Sequence, residues 1–146
     1  MKLHHLALLA ALALPSFAAE KGIMHCFAFT PKAEATDADF KAYYAATDKL
    51  AKDFKGIKRV WYGKLRSPLN QIRVDAESGK KFTATNNKVE GATATRVRRE
   101  HAGCMEFKDA AAWEAYAKSP AHDAWVKVYE KVRVDGTTTY QILPAQ

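Results

Sequence analysis

Histidine, cysteine and long apolar runs are all scarce in this chain, and each shortage narrows what it can be. Of five histidines in 146 residues, only His25, His101 and His122 lie beyond an N-terminal stretch that reads as an export signal. Imidazole is the side chain that most readily exchanges a proton near neutral pH, so acid–base chemistry has few places to occur. The three come from separate elements and include no close ligand pair such as H-x-H. No metal site and no cofactor are therefore expected. The only cysteines are Cys26 and Cys104. Neither has a neighbour that would lower its pKa, which argues against a catalytic thiol. In an oxidising compartment an even pair suggests a disulfide, and two buried thiols are the alternative. Beyond the N-terminus no apolar run approaches the ~20 residues of a membrane span, so no transmembrane segment is expected. Internal repeats and low-complexity tracts are also absent, which leaves a single ordinary domain.

What is present begins with that N-terminus. Lys2 supplies a positive start, Leu6 to Leu14 an apolar stretch, and Ser16-Phe17-Ala18 a small-x-small cleavage site. Residues 1–18 are read as a signal peptide, which makes the mature protein exported, periplasmic or secreted. The formal net charge is +7, and a basic surface can meet nucleic acid, anionic lipid or envelope polymer. Its densest cluster, Arg96, Arg98 and Arg99, alternates with other residues in a strand pattern. That fits a solvated strand face, and export removes most nucleic acid from reach, so no nucleic-acid partner is expected.

From residue 22 onward the pattern is regular. Gly22 to Thr30 is an apolar run closed by Pro31 and reads as a strand with two apolar faces. His25 shares a face with Phe27 and Phe29. Thr36, with Asp39 three residues on, forms a capping box for a helix that carries Phe40, Tyr43, Tyr44, Leu50 and Phe54 at helical spacing and stops at Gly56. Strands are expected at Ile57 to Leu65, Val97 to Phe107 and Thr137 to Leu143. Asp109 caps a helix through Trp113 and Tyr116, and Ser119-Pro120 opens another that runs to about Val132. Between them, 66–96 is rich in turn signals and reads as an excursion from the sheet: a lid or edge extension, with a small hairpin at 82–90 around Asn86-Asn87. The order is that of an α+β, ferredoxin-like fold: a four-stranded antiparallel sheet with helices on one face. The other sheet face needs a cover, and a second copy of the chain is the simplest, giving a two-fold homodimer.

Four segments carry a resemblance: the strand Ile23-Met24-His25-Cys26-Phe27, Val60-Trp-Tyr-Gly-Lys64, His101-Ala-Gly-Cys-Met-Glu-Phe107, and Tyr116-Ala-Lys-Ser-Pro-Ala-His122. In order and spacing the domain at 22–146 resembles the stress-responsive dimeric α/β-barrel (Dabb) family, outside the 66–96 excursion. The family includes polyketide cyclases of the olivetolic acid cyclase type, which close linear polyketides by aldol chemistry. The resemblance implies a dimeric α/β-barrel, and it places the cyclases' functional groups on His25, His101, His122 and Tyr116. It makes His122 the base and Tyr116 the donor to the carbonyl oxygen that gains charge, both sensible roles. Members commonly have an acidic residue just before the aromatic of the last strand, where it can orient the junction histidine. Here Thr139 precedes Tyr140. A hydroxyl can accept from an imidazole N–H but stabilises a charged ring less than a carboxylate does.

Phe27, Phe40, Trp113 and Trp125 are the expected walls of a ligand pocket. The leading expectation is thus an exported homodimer that binds a small apolar or aromatic molecule. The competing one is a cyclase- or isomerase-like enzyme built on His122 and Tyr116. A third is a purely structural protein whose basic excursion attaches it to the envelope.

Overall fold

The computed structural model describes residues 22–144 except 87 and 89. The expected signal peptide lies outside the described residues. Eight elements follow in order: β1 (Ile23–Phe29), α1 (Asp37–Asp53), β2 (Ile57–Val74), α2 (Ala76–Ala84), β3 (Ala94–Phe107), α3 (Ala110–Tyr116), α4 (Pro120–Val132) and β4 (Thr138–Ile142). The strands form one sheet in the order β2-β3-β1-β4, and each neighbouring pair is antiparallel. This is the expected ferredoxin-like architecture.

The caps read from sequence are those observed. Thr36 Oγ1 accepts from Asp39 N at 3.2 Å while Asp39 Oδ2 accepts from Thr36 N at 2.9 Å. Two orphan amides of the first turn are thereby satisfied reciprocally. Asp109 caps α3, and Ser119 caps α4 with Pro120 in the first turn. On the sheet face covered by helices, Phe27, Phe29, Met105 and Phe107 pack with Tyr43, Leu50, Tyr116, Trp125, Tyr129 and Val132. The tie between α1 and α4 is polar as well as apolar. Buried Thr47 donates to Tyr43 O at 2.8 Å and accepts from Trp125 Nε1 at 2.9 Å. Gly103 is needed because Phe27 lies directly over it: a Cβ there would sit 2.6 Å from the Phe27 ring.

The other sheet face is read from the register. Residues directly opposite share a face, so Trp61, Cys104, Cys26 and Tyr140 form one row across all four strands. Within that row Cys26 and Cys104 are joined by a disulfide, with Cα atoms 4.1 Å apart. The alternative of two buried thiols is therefore set aside.

The stretch at 66–96 departs from its reading in two ways. β2 does not end at Leu65. It continues paired with β3 as far as Val74 opposite Ala94, across a register shift between Lys64 and Leu69. Ser67-Pro68, taken as a turn, falls inside this shift. Proline is tolerated there because β2 is an edge strand with one side free of ladder bonds. Second, the expected hairpin at 82–90 does not form: Ala76–Ala84 is the helix α2, capped by Asp75 accepting from Ser78 N at 2.8 Å. The excursion is thus a long two-stranded arm with a helix at its tip. Of the two shapes expected, it is the edge extension.

Candidate functional site

The α3–α4 junction brings together the two candidate residues of the Tyr116–His122 segment. Regular helical spacing would not, since they are six apart and a proline intervenes. Ser119 does it: its hydroxyl donates to Tyr116 O at 2.8 Å and accepts from His122 N at 3.1 Å. The chain folds back over a single turn, and the Tyr116 and His122 rings meet edge-to-face with centroids 4.7 Å apart.

These two rings line a cleft of about 160 Å³ together with His25, Phe27, Trp125, Val126, Tyr129, Arg133, Thr137 and Thr139. β1 supplies His25 and Phe27, α4 supplies most of one wall, and β4 supplies Thr139. Phe27 packs edge-on against both Trp125 and Tyr129, with centroids 5.6 and 5.5 Å away. The floor is therefore aromatic and the polar groups stand at its margins.

The electrostatics differ from group to group. Burial lowers the pKa of His25, and neighbouring His122 lowers it further. Gln141 Nε2, an amide donor on the facing strand, lies 3.1 Å from His25 Nδ1. His122 Nδ1 is buried without a hydrogen-bond partner, and Asp123 Oδ1 is 3.7 Å away, beyond hydrogen-bond length. Burial raises the Tyr116 phenol above its ordinary value, with Tyr129 adding to the effect. Tyr116 therefore keeps its proton and remains a donor. Tyr129 is pushed up to about 12 by burial, opposed by its Thr137 hydrogen bond and by Arg133 and Arg99.

Not every expected site residue reaches this cleft. His25, Tyr116, His122, Phe27 and Trp125 do. His101 and Phe40 do not: the His101 ring is stacked between Phe40 at 4.6 Å and Phe29 at 5.5 Å, on the far side of the core. Its Nδ1 is buried and unpartnered there. Trp113 stands behind the cleft, 6.3 Å from the His25 ring. Strand alternation put His25 and His101 on one face, but His101 pairs with the end of β1 while His25 sits near its start. The helices above then separate them.

The sequence reading missed Val126, Tyr129, Arg133 and Thr137. Tyr129 and Val126 read as the packing side of α4. Arg133, just past the end of α4, drew no reading from the sequence. Thr139 did carry a signal, as the residue standing where the Dabb pattern has an acid, and it lines the cleft.

Solved structures share this architecture at low identity. A Dabb family protein with a ferredoxin-like fold from Mesorhizobium loti is 17% identical, covering 87% of this chain and 100% of its own, with a TM-score of 0.56. The fold is that of a Dabb protein. A dimeric ferredoxin-like protein of unknown function from Thermobifida fusca is 15% identical over 97% of this chain and 100% of its own, with a TM-score of 0.57. The hydroxynitrile lyase of Passiflora edulis is 12% identical over 86% of this chain and 95% of its own, with a TM-score of 0.58. By sequence, no protein-family model and no curated protein matches the chain.

Proposed function

We propose that this chain is an exported homodimer, each protomer of which binds a small apolar or aromatic molecule in the cleft beneath α4. The observation that carries this reading is the make-up of the cleft: an aromatic floor of Phe27, Trp125 and Tyr129 with a few convergent polar groups at its edge. Small-molecule sites have that composition, the apolar surface supplying affinity and the polar groups orientation. A cavity of about 150 Å³ lined by apolar groups holds one benzene ring, so about 160 Å³ suits a single-ring ligand. Export is supported by the signal-like segment and by the Cys26–Cys104 disulfide, since such bridges persist in oxidising compartments. The dimer is supported by the uncovered sheet face and by the dimeric state of the Thermobifida fusca protein.

A second reading uses the same cleft for proton transfer, with His122 as base and Tyr116 as donor to a developing oxyanion, in a cyclase- or isomerase-like reaction. It is favoured by one observation, the buried and unpartnered Nδ1 of His122 beside the Tyr116 ring. One protein of this fold, the Passiflora edulis hydroxynitrile lyase, is an enzyme.

The test is a thermal-shift and tryptophan-fluorescence titration with single-ring aromatic compounds. A ligand at ~100 times its Kd stabilises by about 2.7 kcal/mol, a clear rise in Tm. Val126→Phe, which fills the cleft, is expected to abolish the rise while circular dichroism stays native. His122→Ala separates the two readings: a binder keeps most of its affinity, whereas an enzyme keeps affinity and loses turnover. Failure of every compound to raise Tm would refute the binding reading.

A further inference from the structure

The end of the cleft farthest along α4 holds a positive charge whose carboxylate neighbour, among the described residues, is a solvent-exposed one. Among the described residues ten line the cleft and none of these is acidic; the one permanent cation among them is Arg133. The Arg133 guanidinium lies 4.9 Å over the Tyr129 ring, and its Nε is buried without a hydrogen-bond partner. Glu130 Oε1 approaches Nη2 only to 3.6 Å, from a side chain that is 56% exposed. A carboxylate so hydrated screens little of a neighbouring charge.

A second guanidinium, Arg99, acts with Arg133 on the Tyr129 phenol, and Arg73 lies near Arg99 at Gly136. Arg99 is 2% exposed. Its donors go to hydroxyls, Thr138 Oγ1 and Thr30 Oγ1, each at 3.2 Å. Among the described residues no carboxylate pairs with Arg99 or Arg73. Both crowd Gly136, where a Cβ would fall 3.0 Å from Arg73 Nη1 and 3.9 Å from Arg99 Nη2. Gly136 has φ +82°, a conformation glycine adopts without penalty, so the turn can pass close to both. Arg99 is lowered by burial and then by Arg73, the sign expected of like charges gathered together.

Burying a cation without a counter-charge is costly, and proteins normally pair it. Here the partners are hydroxyls and an aromatic face. We propose that the ligand of this cleft is a single-ring aromatic carboxylate, whose carboxylate pairs with the Arg133 guanidinium at the cleft wall and whose ring lies on Phe27 and Trp125. An ionised acceptor on a guanidinium makes the stronger, shorter class of hydrogen bond. The Thr137 hydroxyl also lines the cleft and, where it accepts from Tyr129 Oη 3.1 Å away, keeps its own proton to donate. The opposite end of the ring then faces His25, His122 and Tyr116. A carboxylate is chosen over a phosphate because the cleft is of one-ring size and, among the described residues, is lined by one permanent cation.

This inference rests on the binding reading above, and its test separates the two. Benzoate, benzamide and phenyl phosphate are titrated by calorimetry and tryptophan fluorescence into the parent protein, Arg133→Gln and Arg133→Lys. The parent is expected to bind benzoate about ten-fold or more tightly than benzamide, as one charge-assisted hydrogen bond implies. Arg133→Gln should bring the two to equal affinity, and Arg133→Lys should keep a weaker preference for benzoate. If benzamide binds the parent as well as benzoate does, the carboxylate claim falls and the binding reading stands. Tighter binding of phenyl phosphate overturns the choice of carboxylate. If none of the three binds, both fall. The comparison within the parent needs no variant, so it holds even where Arg133→Gln fails to fold.

Discussion

His101 occupies a slot between Phe29 and Phe40, stacked on both. Burial lowers its pKa below 6.5, Lys64 lowers it further and Glu100 works against them. The folded protein thus keeps this ring unprotonated at pH values where the unfolded chain already binds the proton. Its contribution to stability is complete above about pH 6.5 and is lost as pH falls through the lower folded value. His25, lowered by burial and by His122, acts in the same direction and window. Asp39 and Asp75, held low mainly by hydrogen bonds from Thr36 and Ser78, add a loss only at more acidic pH. Tm is therefore expected to fall as pH drops below about 6.5. His101→Phe, an aromatic of similar shape in the same slot, should make that decline shallower. An unchanged slope in the variant would remove His101 as its source.

Among the elements, β1 and β3 are held together twice, by ladder hydrogen bonds and by the Cys26–Cys104 bridge, which spans 78 residues of sequence. Closing a loop of that length restrains the unfolded chain by about 4 kcal/mol in the chain-entropy picture, and native bridges typically contribute about 2–5 kcal/mol. Reduction is expected to lower Tm by about 15 °C for a domain of this size. Thermal melts with and without reductant, with free thiols counted, measure it; an unmoved Tm after full reduction would show that strand pairing alone sets the order. The elements also divide by how readable they were. α1, α3 and α4 each bury an apolar face behind a side-chain cap and β1 is an apolar run closed by Pro31, so pattern and end signals agreed with the tertiary outcome. α2 has no buried residue, hence no apolar stripe to betray it, and Gly79 and the Asn pair argued for turns instead. The end of β2 was hidden by Ser67-Pro68, whose turn chemistry is absorbed by a register shift. In the cleft, His25 and His122 were singled out as two of three candidate imidazoles, and Tyr116 by the Dabb resemblance. Arg133 and Thr137 were not, because what marks them is a missing partner or a facing wall, and neither is written in one dimension.

At the scale of the whole molecule the open sheet face decides the assembly. Trp61 is 46% exposed, Tyr140 50% and Ile142 57%, and all three stand on the face away from the helices, around the Cys26–Cys104 disulfide. Such a grouping of large apolar side chains marks an interaction surface on a folded protein. Its rim is charged: Arg59 stacks over Trp61 at 5.0 Å while pairing with Glu106 at 2.7 Å. An apolar centre with a polar rim is the anatomy of a protein interface. A two-fold partner would set this face on itself, covering both copies with one patch. The protein is expected to sediment as a dimer, with a Tm that rises with concentration. Trp61→Glu combined with Ile142→Lys should yield a folded monomer whose Tm no longer depends on concentration. The cleft opens on the helix side, so aromatic ligands that bind the dimer should still bind this monomer. A parent protein that sediments as a monomer at every concentration would defeat the dimer. The exposed row at Trp61 and Tyr140 would then have to serve a different partner.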